Sequence, residues 1–176
     1  MRRLSIFFSV FVAQLVVDQW TKQLATAHLK NAAWKSWLGD SFRLQYATND
    51  GAFLSLGSQL PPQARFWVLT IGVGGLLLGL SWYALTNKKL DLLQVGSYSL
   101  IASGGFANWI DRVRFDGSVV DFMNMGIGPL RTGVFNVADL AILAGIGILF
   151  VQSYREEKKQ KAAAAAQQTP PAPQKS

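Results

Sequence analysis

Gly104–Asp139, GGFANWIDRVRFDGSVVDFMNMGIGPLRTGVFNVAD, joins the end of one long apolar segment to the start of another. It holds four aspartates, Asp111, Asp116, Asp121 and Asp139, with Asn108, Arg112 and Asn136 among them. Three of these aspartates have apolar or membrane-edge neighbours, where an ionised carboxylate is expensive and usually has a job. Two carboxylates brought together there can share one proton and activate a water.

Upstream of this stretch, Ser97, Gly104, Asn108 and Asp111 recur at helical spacing and fall on one helix face. A small and polar face on an otherwise apolar helix points into a bundle. Helix packing accounts for Gly104 and Gly105 but poorly for Asp111 and Arg112. Downstream, Asn136 reads as an N-cap with Asp139 in the first helical turn. Capping and catalysis are both open to Asp139, since the positive helix end also stabilises its ionised form. Asp139 is expected on a helix start and Asp121 on a loop, and either Asp111 or Asp121 could partner Asp139. Asp116, before Gly117, reads as a solvated turn residue.

Further out, residues 65–86 form another apolar span, in which Gly75 and Gly79 make a GxxxG pair suited to close helix approach. At the N-terminus, residues 4–17 follow Arg2 and Arg3. Ala25-Thr26-Ala27 raises the rival of a cleavable signal peptide. Asp18, Gln19, Thr21 and Lys22 would make the region before such a cut long and charged, so a retained membrane helix is expected. Asp18 and Lys22, four apart with the acid first, share a helix face and can pair. Between these spans, Phe42–Tyr46 alternates as a strand does, Asn49-Asp50-Gly51 favours a turn, and residues 52–56 could return as a second strand. On spacing alone, Asn49 is a turn former.

Half of the 176 residues are hydrophobic and only 15% are charged, against about 25% in soluble domains. The chain is therefore expected to be an all-α membrane protein. Four transmembrane helices fall at about 4–26, 65–86, 90–111 and 134–154, with a small β element and loops from 28–64 on the outer face. Residues 158–176, rich in Ala, Lys, Gln and Pro, are expected to be a disordered tail after a membrane-embedded domain of residues 1–157. With no cysteine and one histidine, His28, thiolate chemistry and multi-histidine metal sites are excluded. The net charge of +7 reads as topology rather than nucleic-acid binding. Arg2, Arg3, Lys88, Lys89, Arg155, Lys158, Lys159 and Lys161 fall on one side, expected to be the cytoplasm and to hold both termini.

Five blocks in order then resemble the bacterial lipoprotein signal peptidases (signal peptidase II): Asp18-Gln-Trp-Thr21-Lys22, Asn49-Asp-Gly51-Ala52-Phe53, Gly104-Gly105 with Asn108-Trp-Ile-Asp111-Arg112, Val119-Val120-Asp121-Phe122, and Phe135-Asn136-Val-Ala138-Asp139. The resemblance covers residues from about 4 to 155. It departs from the family where a doubled alanine is usual before Phe53 and where Ala107 replaces a common glycine. Both departures suggest altered loop geometry.

The resemblance implies a membrane aspartic endopeptidase that cleaves lipid-modified prolipoproteins before the diacylglyceryl-cysteine. It implies Asp121 and Asp139 as the catalytic dyad. Asn49, Asn108, Arg112 and Asn136 would surround the scissile peptide, and Asp18, Lys22, Asp111 and Gly104 would support the site. It implies no cofactor and no metal, membrane lipid as surroundings, sensitivity to globomycin-type inhibitors, and a place in the bacterial inner membrane with the site near the outer face. A monomer is expected.

Two rivals come from other classes. A small transporter or proton-relay subunit also buries Asp and Asn in a bundle, but no internal repeat is visible here. A metal-dependent phosphotransferase would use Asp111, Asp116 and Asp121, whose spacing does not align on one helix face.

Overall fold

The computed structural model describes residues 1–51 and 61–168. Helix α1 (Arg2–Leu29) leads to two strands, β1 (Lys35–Trp37) and β2 (Phe42–Asn49). A short α2 (Pro62–Arg65) runs through a π-helical segment, Phe66–Gly72, into α3 (Val73–Thr86). Helix α4 (Leu92–Arg114) is followed by β3 (Val119–Ile127), β4 (Leu130–Arg131) and the long α5 (Val137–Gln168).

Three stretches, Arg2–Leu29, Phe66–Thr86 and Val137–Ala163, are long and apolar enough to cross a membrane. The fourth expected span, α4, has the length at 23 residues but is diluted by polar ones. The reason is its position. It packs against α1, α3 and α5, and its Ser97, Ser99, Ser103, Asn108 and Asp111 are buried among them rather than turned to lipid. Ser99 Oγ, for example, donates to Phe7 O of α1 at 2.6 Å. The helix starts on a reciprocal cap: Asp91 accepts from Gln94 N at 2.7 Å, and Asp91 N donates to Gln94 Oε1 at 3.0 Å.

Close helix approach happens elsewhere than the Gly75/Gly79 pair predicts. A Cβ on either of those glycines would meet nothing within 4 Å. Between α4 and α5 the tight positions are Gly104, where a Cβ would lie 2.5 Å from Ala138 O, and Gly145, where it would lie 2.6 Å from Ser97 O. Helices α4 and α5 therefore meet backbone to backbone. Helix α3 meets α4 where Leu77 lies against Gly105 and where Gly74 lies beneath the Trp109 indole, whose Nε1 donates to Thr70 O in the π-helical segment at 2.7 Å.

At one end of the bundle lies a four-stranded antiparallel sheet in the order β1-β2-β3-β4. The expected strand at Phe42–Tyr46 is present and longer, as β2. Its partners are β1 and β3; the proposed return strand at residues 52–56 lies outside the described residues. Val119-Val120 gives β3 a β-branched start, and both faces of its first half are buried. Asp121 thus lies on a strand, where a loop is expected from the sequence. The β2–β3 register slips between Leu44 and Ala47, after which Ala47 faces Asp121 and Asn49 faces Val119.

The other end holds the start of α1 and the α3–α4 connection. The Arg3 guanidinium donates to Ala84 O at 3.2 Å, to Leu90 O at 3.3 Å and to Asn87 O, tying the start of α1 to the α3–α4 connection. Where an unstructured tail is expected from residue 158, α5 instead continues to Gln168. Ala, Glu, Lys and Gln are strong helix formers, and with the side chains of residues 158–163 exposed it is propensity that carries the helix on.

Candidate active site

Helix α5 begins on its own side chains. Asn136 Oδ1 accepts from Asp139 N at 3.0 Å, and Asp139 Oδ2 accepts from Asn136 N at 3.1 Å, a reciprocal cap. The capping reading of the sequence therefore holds, and it leaves Asn136 Nδ2 and Asp139 Oδ1 free to face inward. Asn136, wholly buried, donates through Nδ2 to Asp121 Oδ1 at 2.7 Å and to Asn108 Oδ1 at 3.0 Å. Asn108 in turn donates through Nδ2 to Asp139 Oδ1 at 3.0 Å. Two buried amides thus link the carboxylates of β3 and α5.

Asn49, at the end of β2, completes the ring by donating to Asp121 Oδ2 at 3.2 Å. Its own Oδ1 accepts from Gly51 N at 3.0 Å, so the turn former predicted from sequence also touches the candidate dyad. Arg112 donates to Gly51 O at 2.9 Å and to Asn108 O at 3.3 Å. Its Nε is buried and has no partner among the described residues.

Behind this ring lies a charged cluster. Lys22 sits 2.9 Å from Asp18 Oδ2 and 2.9 Å from Asp111 Oδ2, all three side chains being buried. Asp18 Oδ1 accepts from Ala138 N at 2.7 Å, at the first turn of α5, and Asp111 Oδ2 accepts from Val120 N at 3.2 Å, beside Asp121. The cluster therefore fixes the backbones that carry the two inner carboxylates. Asp111 belongs to this cluster, and the carboxylate facing the cavity with Asp139 is Asp121. Gln19, absent from the residues expected at the site, donates to Asp111 Oδ1 at 2.9 Å. Its spacing of three from Lys22 puts both on one face of α1, a signal the sequence carries. Asp116 is exposed in a turn with φ 49°, and among the described residues it joins none of these bonds. A three-aspartate ligand set with Asp111 and Asp121 is thus not assembled.

Asn49, Asn108, Arg112, Asp121, Asn136 and Asp139 line one cavity of about 270 Å³, walled by Val134, Phe135, Leu140 and Leu143. A second groove, between α3 and α5, shares Asn108, Arg112 and Asp139 and continues over Leu69, Val73, Ile142 and Ile146. Asp121 is 2% exposed. Burial, joined by the neighbouring Asp139 carboxylate, pushes it up from 3.8 to about 6, against the lowering effect of the Asn49 and Asn136 amides. Asp121 can thus hold a proton up to about pH 6 while its neighbour accepts hydrogen bonds. A water between two such groups can be deprotonated on one side while a carbonyl is polarised on the other.

Residues 10–155 match the family model described as Signal peptidase (SPase) II. A lipoprotein signal peptidase of Halalkalibacterium halodurans is 32% identical over 153 residues, which cover 87% of this chain and 94% of the relative. One of Geobacter sulfurreducens is 34% identical over 156 residues, with 87% and 94% covered. A solved structure described as a bacterial membrane enzyme aligns with a TM-score of 0.74 at 22% identity, over 87% of this chain and 90% of that one, a likeness of fold.

Proposed function

The chain belongs to the signal peptidase II family, a family of peptidases, and from that premise we propose that it is an aspartic endopeptidase acting on lipid-modified prolipoproteins. Cleavage falls before the diacylglyceryl-cysteine, by a water activated between Asp121 and Asp139. The observation that carries this reading is the amide-bridged pair of carboxylates from β3 and α5 opening on one cavity with apolar walls.

Asp139 takes the proton from water as the general base. Asp121, protonated, donates to the scissile carbonyl oxygen as the water oxygen adds to the carbon. On collapse of the tetrahedral intermediate the C–N bond breaks, Asp139 passes the water's proton to the leaving amine, and Asp121 regains its proton from the intermediate's hydroxyl. Asn49, Asn108 and Asn136 hold the carboxylates, and Arg112 Nε, which has no partner among the described residues, is available to a substrate carbonyl. The groove between α3 and α5 offers an apolar path from the dyad into the membrane, suited to a lipid-anchored substrate arriving laterally. The end of the bundle with Arg3 and the α3–α4 connection then faces the cytoplasm with both termini, and the dyad lies near the outer face of the inner membrane. Globomycin-type inhibitors would occupy the same cavity.

The test is incubation of the purified protein in detergent with a lipidated prolipoprotein, followed by electrophoresis. A smaller product is expected from the native chain. Asp121→Asn and Asp139→Asn keep side-chain volume and should each lower the rate by about a thousandfold or more. Full activity in either variant at normal expression would sink the dyad.

A further inference from the structure

Lys22 stands behind the candidate dyad, 4% exposed, and its ammonium is a donor without acceptor capacity. Neutralising Asp18 and Asp111 explains two of its contacts. It does not explain the third, a hydrogen bond from Nζ to Asn108 Oδ1 at 2.8 Å, made to a neutral amide. Among the described residues Asp18 Oδ2 has no aligned hydrogen-bond donor, so the 2.9 Å contact there is an ion pair without that geometry. The directed bond of this lysine goes to the asparagine.

That bond decides which way the amide faces. Asn108 Oδ1 receives Lys22 Nζ at 2.8 Å and Asn136 Nδ2 at 3.0 Å, two donors on one atom. With the oxygen held there, Nδ2 must turn to Asp139 Oδ1, which it meets at 3.0 Å. The flipped amide would set its NH2 against an ammonium and another NH2, and would offer an oxygen to a carboxylate. Asn136 alone could not enforce the choice, because its Nδ2 also donates to Asp121 Oδ1 and Val120 O.

We propose that Lys22 is a positioning residue which, by fixing the amide of Asn108, keeps a hydrogen-bond donor on Asp139 and holds that carboxylate in its reactive orientation. The inference rests on the reading of Asp121 and Asp139 as the catalytic pair. Substrate does not touch Lys22 under this scheme, so its loss acts on the chemical step and leaves binding nearly unchanged.

The test combines Lys22→Met with Asp111→Asn. The double change removes one positive and one negative charge, so the net charge of the cluster is kept while the donor to Asn108 is lost. Its kinetics on a lipidated prolipoprotein in detergent are compared with those of the native chain, whose cluster has the same net charge, and with those of Asp111→Asn alone, after thermal unfolding establishes that all are folded. The expected result is a kcat lower by about tenfold to a hundredfold, with KM within about threefold. Equal kcat, or a loss confined to KM, overturns the proposal. Where Met prevents folding, Lys22→Gln in the same background keeps a polar group in the buried site but lacks the reach and charge of the ammonium, with the same expectation.

A cycle with Asn108→Ala adds an independent readout. That substitution removes both the acceptor for Lys22 and the donor to Asp139, so adding Lys22→Met should cost almost no further kcat. Additive losses would mean that Lys22 acts by another route. Cleavage by the native chain and its loss in Asp121→Asn test the dyad separately. If those fail, the dyad reading falls and this inference with it; if they stand and the Lys22 effect is absent, only this inference falls.

Discussion

Asp121 carries opposing demands that can be read as a pH dependence. Its side chain is buried in β3 and faces a second carboxylate, and both conditions favour its protonated form. The folded value of about 6 lies above the ordinary 3.8, so the folded chain binds more protons than the unfolded one between those limits. The stability this group contributes is therefore complete below pH 3.8 and is lost as pH rises through about 6. A rise from 3.8 to about 6 corresponds to up to roughly 3 kcal/mol. Asp121→Asn, neutral at every pH, should escape that loss. Its thermal midpoint in detergent is expected to exceed that of the native chain above pH 6 and to converge with it near pH 4. A native midpoint that rises across this window relative to the variant would show the carboxylate to be stabilised as an anion. The aspartates and asparagines of this site are visible as residues in the sequence, in order and in apolar surroundings. Which atom of each amide faces which carboxylate is not visible, because it depends on donors supplied from α1 and α5, far apart in the chain.

Among the elements, α4 and α5 set the site by how closely they meet. Gly104 places its backbone against Ala138 O, one residue before Asp139 and two after Asn136. A methyl group there would lie 2.5 Å from that oxygen and 2.8 Å from Ile142 Cγ1, and a backbone carbonyl in a helix cannot step aside alone. Gly104→Ala should therefore shift the first turn of α5 and its reciprocal cap, costing about 1–3 kcal/mol of stability. It should also lower cleavage by at least about tenfold, through misplacement of Asp139. Gly75→Ala and Gly79→Ala face open space and are expected to leave both quantities nearly unchanged. Comparable damage from all three would mean that the helices pack through the α3 glycines after all. The polar stripe on α4 was legible from its period, since Ser97, Gly104, Asn108 and Asp111 are all buried on the face that meets its neighbours. The GxxxG spacing on α3 misled because spacing marks a possible contact surface without naming which helix, if any, lies against it. The strand at Asp121 was hidden for a different reason. Its pairing partner β2 lies about seventy residues earlier, and a short run with both faces buried lacks the alternation that marks a strand.

Across the whole molecule, the two ends of the bundle are built from different parts of the chain. Arg3 binds the α3–α4 connection, and Gln152 of α5 reaches Asp91 at 3.3 Å, so these form one end of the bundle. Asp139 and the sheet form the other. Residue 158 lies 19 positions beyond Asp139 on the same helix, which at 1.5 Å per residue is on the order of 30 Å, about the thickness of a bilayer core. The side chains from Arg155 to Ala163 are exposed, and the Glu157–Lys161 pair at 2.5 Å is a surface contact of little energetic weight. Removing residues 158–176 should therefore leave cleavage of a lipidated prolipoprotein within a few-fold of the intact chain. The cut spares Arg155, the first charged residue after the apolar part of α5. Helicity should fall by circular dichroism, since α5 loses the part that runs to Gln168, while activity persists. A truncated chain that folds and inserts normally but no longer cleaves would place a function on this end of the molecule and overturn the assignment of the two faces.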